Sequence, residues 1–489
     1  MKKQILLLCA SMTLILGSCE DAIDIVQPGE LTLENTFESV GDLRLGLNYV
    51  YSAVNNSNQV SLSSVWCDEV GIGFANGGQG LGSGTYNFIL NSGSAYASSI
   101  WNSNYDLINF CNRFIAAADV VEVMPGEEAD YNNYVAQVRA LRAYAYFDLL
   151  SYFSADITDD NALGVIMFTN IPSVTDQLPR STNGEVFALI NEDLSFAASN
   201  LDATATNVKF VTGNFVTALQ ARIALFREDY TAAQTYAQQI IDAVPLTSAA
   251  MYPLIWTDLN DGEVIFKLER TNGDGLIGGI WMSVDNSITG SPFYEVGRSL
   301  FNQLADTDIR KSVIVNLDPA TGSQIDADYA TSTDYRNSDI LLINKYPGSE
   351  GLFRLNDQKI FRASEAYFIK AEAQINSGDL TGAATTLQQL RSNRFVSGLP
   401  AVPSYSSPQA AWADVMRERR IEFAYEGYRY NDIKRLGSKA GLTIDRDSRD
   451  CELISTCSIA ADDYRFTLPV PADEIAANTA IATQQNSGY

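Results

Sequence analysis

The chain has 489 residues, with 33 Lys and Arg against 59 Asp and Glu, and a formal charge of −26 at pH 7. A field of that sign repels nucleic acid and anionic lipid headgroups, while a 46% apolar composition supports a large buried core and excludes wholesale disorder. Histidine is absent altogether, which removes every Ser-His-Asp, Cys-His and histidine–metal arrangement.

The first predicted element is an address. Lys2 and Lys3 precede an apolar stretch from Ile5 to Leu16, broken only by Ser11 and Thr13. Residues 1–18 therefore read as a secretory signal, too short to span a bilayer. The stretch ends in Leu16-Gly17-Ser18-Cys19, which resembles the lipobox of bacterial lipoproteins. In that motif Cys19 becomes the first mature residue and carries acyl chains, and several chains together anchor stably. Residues 19–29, beginning Cys19-Glu20-Asp21-Ala22-Ile23-Asp24, read as an acidic, lipidated tether. Later apolar runs fall short of a membrane span, so the expectation is an exported body that touches the membrane only through its lipid. In that oxidising setting Cys451 and Cys457 are placed to close a small loop, and Cys67 and Cys111 are either buried thiols or a second bridge.

Residues 30–250 read as a helical region interrupted by a long loop at 61–99. That loop holds Gly71, Gly73, Gly77, Gly78, Gly80, Gly82 and Gly84. A nucleotide-binding reading fails, because no Lys-Ser/Thr follows and no strand-to-helix context surrounds it. Trp101 and Tyr105 then fall at helical spacing and read as core, and Trp256 and Trp412 receive the same assignment. From Val135, apolar residues recur at Val138, Leu141, Ala145, Leu149 and Tyr152, one face of an amphipathic helix. A second helix opens at Thr182, where Thr182 and Glu185 form a predicted capping box, and a third carries Val216, Leu219, Ile223 and Phe226.

Two segments repeat a finer pattern. Glu228-Asp229-Tyr230-Thr231-Ala232-Ala233 parallels Gly378-Asp379-Leu380-Thr381-Gly382-Ala383. Ala233 with Pro245, and Tyr367, Ala371 and Ala383 in the later copy, match tetratricopeptide positions. Residues 251–357 break this pattern with short β-like runs such as Glu263 to Leu268 and clusters of Asn, Asp and Gly. Helical periodicity resumes over 358–489. The predicted architecture is mainly α, with helix-pair repeats and an inserted, loop-rich, partly β region.

Four ordered blocks then carry a family resemblance: Val138 to Leu149 (VRALRAYAYFDL), Arg362 to Ala373 (RASEAYFIKAEA), Glu418 to Arg429 (ERRIEFAYEGYR) followed by Asp432-Ile433-Lys434-Arg435, and Leu468-Pro469-Val470-Pro471 leading to Glu474, Ile475 and Asn478. With the lipobox, these are similar to the SusD/RagB family of Bacteroidetes outer-membrane lipoproteins. The resemblance implies a body of about four tetratricopeptide-like helix pairs with a loop-rich region inserted on one side, and a non-catalytic, cell-surface glycan-binding protein. It further implies a lid on a SusC-like TonB-dependent outer-membrane transporter, to which captured oligo- or polysaccharide is delivered. Peptide capture, a surface glycoside hydrolase and a protein-assembly lipoprotein are the alternatives.

Charged residues of these blocks, Arg139, Arg142, Asp148, Arg419, Arg420 and Glu422, read as scaffold, since charges on packed helices pair with neighbours. The binding site is expected in the loops. A sugar offers apolar C–H faces and hydroxyl rims, which call for exposed rings flanked by polar side chains. The candidate glycan-binding residues are Trp66, Asn76, Gln79, Trp281 and Tyr294, with Tyr86 and Tyr96 in reserve. No cofactor is expected. Asp258, Asn260 and Asp261 offer oxygen ligands for Ca²⁺, but the spacing is not that of an EF-hand, and a solvated loop is the preferred reading.

Overall fold

The computed structural model describes residues 37–78, 81, 84, 86–173, 175–325 and 339–489. The signal, the tether with Cys19, and Gln79 lie outside them. Ten longer helices form the scaffold among the described residues: α1 Val40–Ser52, α2 Ala95–Ala118, α3 Glu128–Phe153, α4 Asn183–Asn200, α5 Gly213–Phe226, α6 Tyr230–Ala243, α7 Ala363–Asn376, α8 Leu380–Ser392, α9 Pro408–Glu422 and α10 Arg429–Ala440. Four antiparallel-neighbour pairs, α3/α4, α5/α6, α7/α8 and α9/α10, account for eight of them. Helix α6 also packs against α7, so the chain's two halves join through the repeat stack. Helices α1 and α2 cover α3. The fold is mainly helical, as the periodicity predicts. None of the described helices is long and apolar enough to cross a membrane.

Local chemistry explains where these helices start. The Thr182–Glu185 capping box forms as predicted, each side chain bonding the other residue's backbone N–H;. Asp229 caps α6 and Asp379 caps α8 by accepting from Ala232 N and Gly382 N. The residue before each cap adopts a left-handed backbone, Gly378 at φ 84° and Glu228 at φ 58°. Glu228 thus holds a conformation that glycine adopts without steric cost. Ala233 and Ala383, both fully buried, let the paired helices approach closely. The two copies therefore share one entry geometry.

Three short antiparallel ladders complete the chain: β1 Val70–Ile72 with β3 Tyr294–Val296, β2 Val264–Leu268 with β4 Gln358–Arg362, and β5 Thr443–Asp445 with β6 Ser458–Ala460. The β2–β4 ladder spans the root of the excursion between α6 and α7. The β1–β3 ladder ties the glycine-rich loop to that excursion, pairing Val70 with Val296, Gly71 with Glu295 and Ile72 with Tyr294. A second hydrophobic core, separate from the helical one, gathers around Tyr86, Tyr252, Trp256, Trp281, Tyr346 and Tyr425.

An ion-pair lattice with its members almost wholly buried joins the two cores. Glu422 Oε1 accepts from Arg362 Nη1 (2.8 Å) and Arg394 Nη2 (2.9 Å), and its Oε2 accepts from Arg394 Nε (2.9 Å) and Arg310 Nη1 (3.1 Å). Arg362 and Arg394 share Glu263, and Arg362 also chelates Glu426, which Lys345 approaches at 2.9 Å. Arg310 reaches Asp308 and Glu418, and Arg391 pairs with Glu418. Burial alone would raise the Glu422 carboxyl, yet Arg394 and Arg362 hold it well below the ordinary carboxylate range;.

The remaining motif charges are likewise absorbed by the scaffold. Arg142 makes a bidentate pair with Asp193, both bonds 2.8 Å, and Asp148 accepts from Gln59 and Asn104 at 2.8 Å each. Arg419 bridges Glu372 and Asp432, and Arg420 lies 3.6 Å from Asp68. Arg139 is the looser case, 3.5 Å from an exposed Glu192.

Removing one partner from a buried lattice strands the others without solvent. Glu422→Ala is expected to cost about 3–5 kcal/mol of stability in chemical denaturation. Arg139→Ala is expected to cost under about 1 kcal/mol, as exposed pairs do.

Candidate functional site

The two excursions meet in a cleft of about 420 Å³. One wall is the glycine-rich loop from Gly71 to Gly78. The second is β3 with Arg298 and the segment holding Asp339 and Leu341. The third is the β5–β6 connection, with Asp447, Arg449, Asp450 and Leu453. Cys451 and Cys457 are bonded across this third wall, with Cα atoms 5.4 Å apart. Cys67 and Cys111 are buried free thiols.

The loop geometry follows from its residues. A Cβ at Gly73 would stand 2.5 Å from the Pro292 carbonyl oxygen, so glycine allows the loop to lie against the strand partner. Its amide donates to Phe293 O at 2.9 Å. Asn76 is buried; its Nδ2 donates to Phe293 O at 2.9 Å, and its Oδ1 accepts from Gly78 N at 3.0 Å. The predicted Asn76 therefore lines the cleft while serving as a loop lock. Between these anchors Phe74 is 57% exposed.

The aromatic platform expected from the sequence is corrected by burial. Trp66 is fully buried, edge-on to Phe88 and Phe466 at 5.5 and 5.3 Å. Trp281 is fully buried, stacked on Tyr346 at 5.9 Å, and its Nε1 donates to Ser64 Oγ at 3.1 Å. Tyr86 is buried beneath the Arg446 guanidinium at 3.8 Å, and its hydroxyl donates to Asp450 Oδ2 at 2.5 Å. Tyr294 is 8% exposed within β3. Tyr96 is half-buried on the first turn of α2, its hydroxyl 3.3 Å from Ser61 Oγ. Trp66, Trp281 and Tyr86 hold the loops together, and no face of theirs is open to a sugar. Trp101, Trp256 and Trp412 are buried too, as their spacing predicts. Among the described residues, the largely exposed rings of the excursions are Phe74 in the first and Phe353, 59% exposed, in the second. Phe74 is not among the residues expected from the sequence, although its flanking by Gly73 and Gly77-Gly78 is a usable signal, because glycines provide no side chains to cover a ring.

The polar lining is organised. Arg298 pairs with Asp339 at 2.7 Å and stands 3.6 Å from Asp447; Arg449 stands 3.3 Å from Asp339 and 3.7 Å from Asp447. Glu295 accepts from the amides of Phe74 (2.9 Å) and Leu341 (3.0 Å), joining the first two walls, and burial raises its carboxyl to about 7 despite those bonds. Asp450 is raised to about 6 by burial, against the hydrogen bonds from Tyr86 and from the Ile72 amide. Beneath β1, burial and the neighbouring Asp68 raise Glu69 to about 8. Asp258 and Asp261, the candidate Ca²⁺ ligands, pair instead with Lys359 and Lys267.

Two outcomes test this arrangement. Trp281→Ala is expected to cost about 3–5 kcal/mol in chemical denaturation, as the loss of a core indole does. For Glu69, the folded pKa is raised, so the native state holds a proton that the unfolded chain releases above about pH 4.5;. Wild-type stability should therefore fall as pH rises from about 4.5 to about 8, and Glu69→Gln should gain on the wild type across that window in denaturation curves taken at each pH.

Residues 305–489 match the SusD family model. The chain is 25% identical over 484 residues to a SusD-like protein of Formosa agariphila, covering 88% of this chain and 92% of that protein. It is 23% identical over 464 residues to a second SusD-like protein of the same organism, covering 87% and 89%. A SusD superfamily protein from Bacteroides thetaiotaomicron superposes with a TM-score of 0.74 at 22% identity, over 92% of this chain and 99% of that one. A SusD-like carbohydrate binding protein from Bacteroides vulgatus superposes with a TM-score of 0.71 at 19% identity, over 91% and 97%. The family model and the sequence likeness agree: residues 305–489 belong to the SusD family, and the chain as a whole is similar to SusD-like proteins along most of its length and shares their helix-pair fold.

Proposed function

We propose that the protein is a non-catalytic, cell-surface lipoprotein, anchored through Cys19, that captures oligo- or polysaccharide and delivers it to a SusC-like TonB-dependent outer-membrane transporter. The observation that carries this reading is the cleft itself, where an exposed phenyl ring stands beside a lining of fixed donors and acceptors. Sugar binding needs one apolar face for the C–H side of the ring and convergent polar groups for its hydroxyls. The carbohydrate-binding description of the Bacteroides vulgatus relative points the same way.

Binding is favoured over hydrolysis by the state of the carboxylates. A glycosidase needs two that are available to the scissile bond. Here Asp339 and Asp447 are engaged by Arg298 and Arg449, while Glu295 and Asp450 accept backbone and tyrosine hydrogen bonds. An open cleft with one stacking ring binds modestly.

The test is affinity electrophoresis on polysaccharide gels. The wild type should be retarded by at least one glycan. Phe74→Ala should weaken that retardation by roughly fivefold, the worth of about 1 kcal/mol of ring stacking, with an unchanged melting curve because the ring is exposed. Retardation by peptides and by no glycan would overturn the reading.

A further inference from the structure

We infer that Glu295 is a positioning residue of the cleft: its ionised carboxylate holds the Phe74 ring over the lining, and a proton on it loosens the ring and weakens glycan capture. The inference rests on the glycan-binding reading above and adds a control to the same site.

The backbone of the glycine-rich wall creates the need for such a group. Gly73 N donates to Phe293 O at 2.9 Å and Ala75 N to Pro292 O at 3.2 Å, so these amides are met by main chain. The alternate amides turn to side chains instead. Ile72 N donates to Asp450 Oδ2 at 3.2 Å, and Phe74 N donates to Glu295 Oε1 at 2.9 Å. Glu295 stands opposite Gly71 in the β1–β3 register, where no side chain obstructs it. Its other oxygen, Oε2, accepts from Leu341 N at 3.0 Å. One buried carboxylate thus ties the residue that carries the exposed ring to the second wall.

A proton on Glu295 must take one of these two oxygens, which then becomes a donor facing an amide donor. The grip on Phe74 or on Leu341 is lost, while Gly73 and Ala75 keep the rest of the loop in place. Asp450 is built differently. Ile72 N and the Tyr86 hydroxyl both reach its Oδ2, so a proton on Oδ1 disturbs neither. The charged groups around Glu295 are Asp447, Arg449 and Asp450 from the third wall, Arg298 after β3 and Asp339 beside Leu341, and the glycine-rich wall from Gly71 to Gly78 carries none. Burial outweighs the backbone bonds and Arg449, so Glu295 is ionised above about pH 7 and protonated below it;. The grip is complete above that pH and is lost as pH falls through it.

The experiment is affinity electrophoresis of the full chain in gels of xylan, mannan, galactan, β-glucan, levan, alginate and polygalacturonate at about pH 8 and about pH 5.5, with melting curves at both. The gel that retards the wild type at the higher pH is the probe. Its hold on the wild type should weaken roughly fivefold at the lower pH, the worth of the ring itself. Phe74→Ala should bind that gel equally at both pH values, because the proton acts through the ring it lacks. Glu295→Gln, which places N–H donors where one oxygen stood, should bind at both as the wild type does in acid. Glu69→Gln should keep the wild-type difference, which separates Glu295 from the raised carboxyl beneath β1. Equal retardation of the folded wild type at both pH values overturns the inference and leaves glycan binding standing. So does a difference that persists in Phe74→Ala or Glu295→Gln, or that disappears in Glu69→Gln. Retardation by none of the gels overturns the glycan-binding reading itself.

Discussion

Glu422 sits where the helical core and the loop core touch, and the structure depends on its being compensated there. Its two oxygens receive four hydrogen bonds from Arg362, Arg394 and Arg310, which belong to β4, the end of α8 and the excursion respectively. With Lys345, Arg391, Glu263, Asp308, Glu418 and Glu426 the lattice holds five cations and five carboxylates, drawn from segments far apart in the chain. Nonpolar contacts tolerate small displacements, but a buried charge does not tolerate a missing partner. The lattice therefore fixes how the excursion sits on the repeats, and through β3 it fixes where the cleft walls stand.

The scaffold was readable because its signals are local. Thr182 and Glu185 cap a helix within one turn of chain, and Asp229 and Asp379 do so at matched places; the stripe from Val138 to Tyr152, expected to mark one buried face, instead lies on a helix buried all round from Val135 onward, because α1, α2, α4 and α5 enclose it. Motif charges such as Arg142 and Arg419 were also readable as packing elements, since each lies on a packed helix whose neighbours supply carboxylates.

The site was less readable, for a physical reason. Whether a ring is covered is decided by partners that the chain brings from elsewhere. Trp281 is closed off by Tyr346 and Tyr425, and Trp66 by Tyr430 and Phe466. No window of sequence around either tryptophan contains those rings. Large aromatics in loops have the most to gain from burial, so in this fold they became the loops' own core and left a smaller ring, Phe74, at the surface;. The arginine–aspartate lining was invisible for the same reason, being assembled from residues 298, 339, 447 and 449.

The β1–β3 ladder has a consequence for how such a cleft changes over time. Its cross-links are main-chain bonds, which are indifferent to side-chain identity;. Substitutions at the loop tips can thus rewrite what the surface grips while the seam between the excursions is inherited intact. Change in the cleft's lining and preservation of its architecture are thereby assigned to side chains and to main chain.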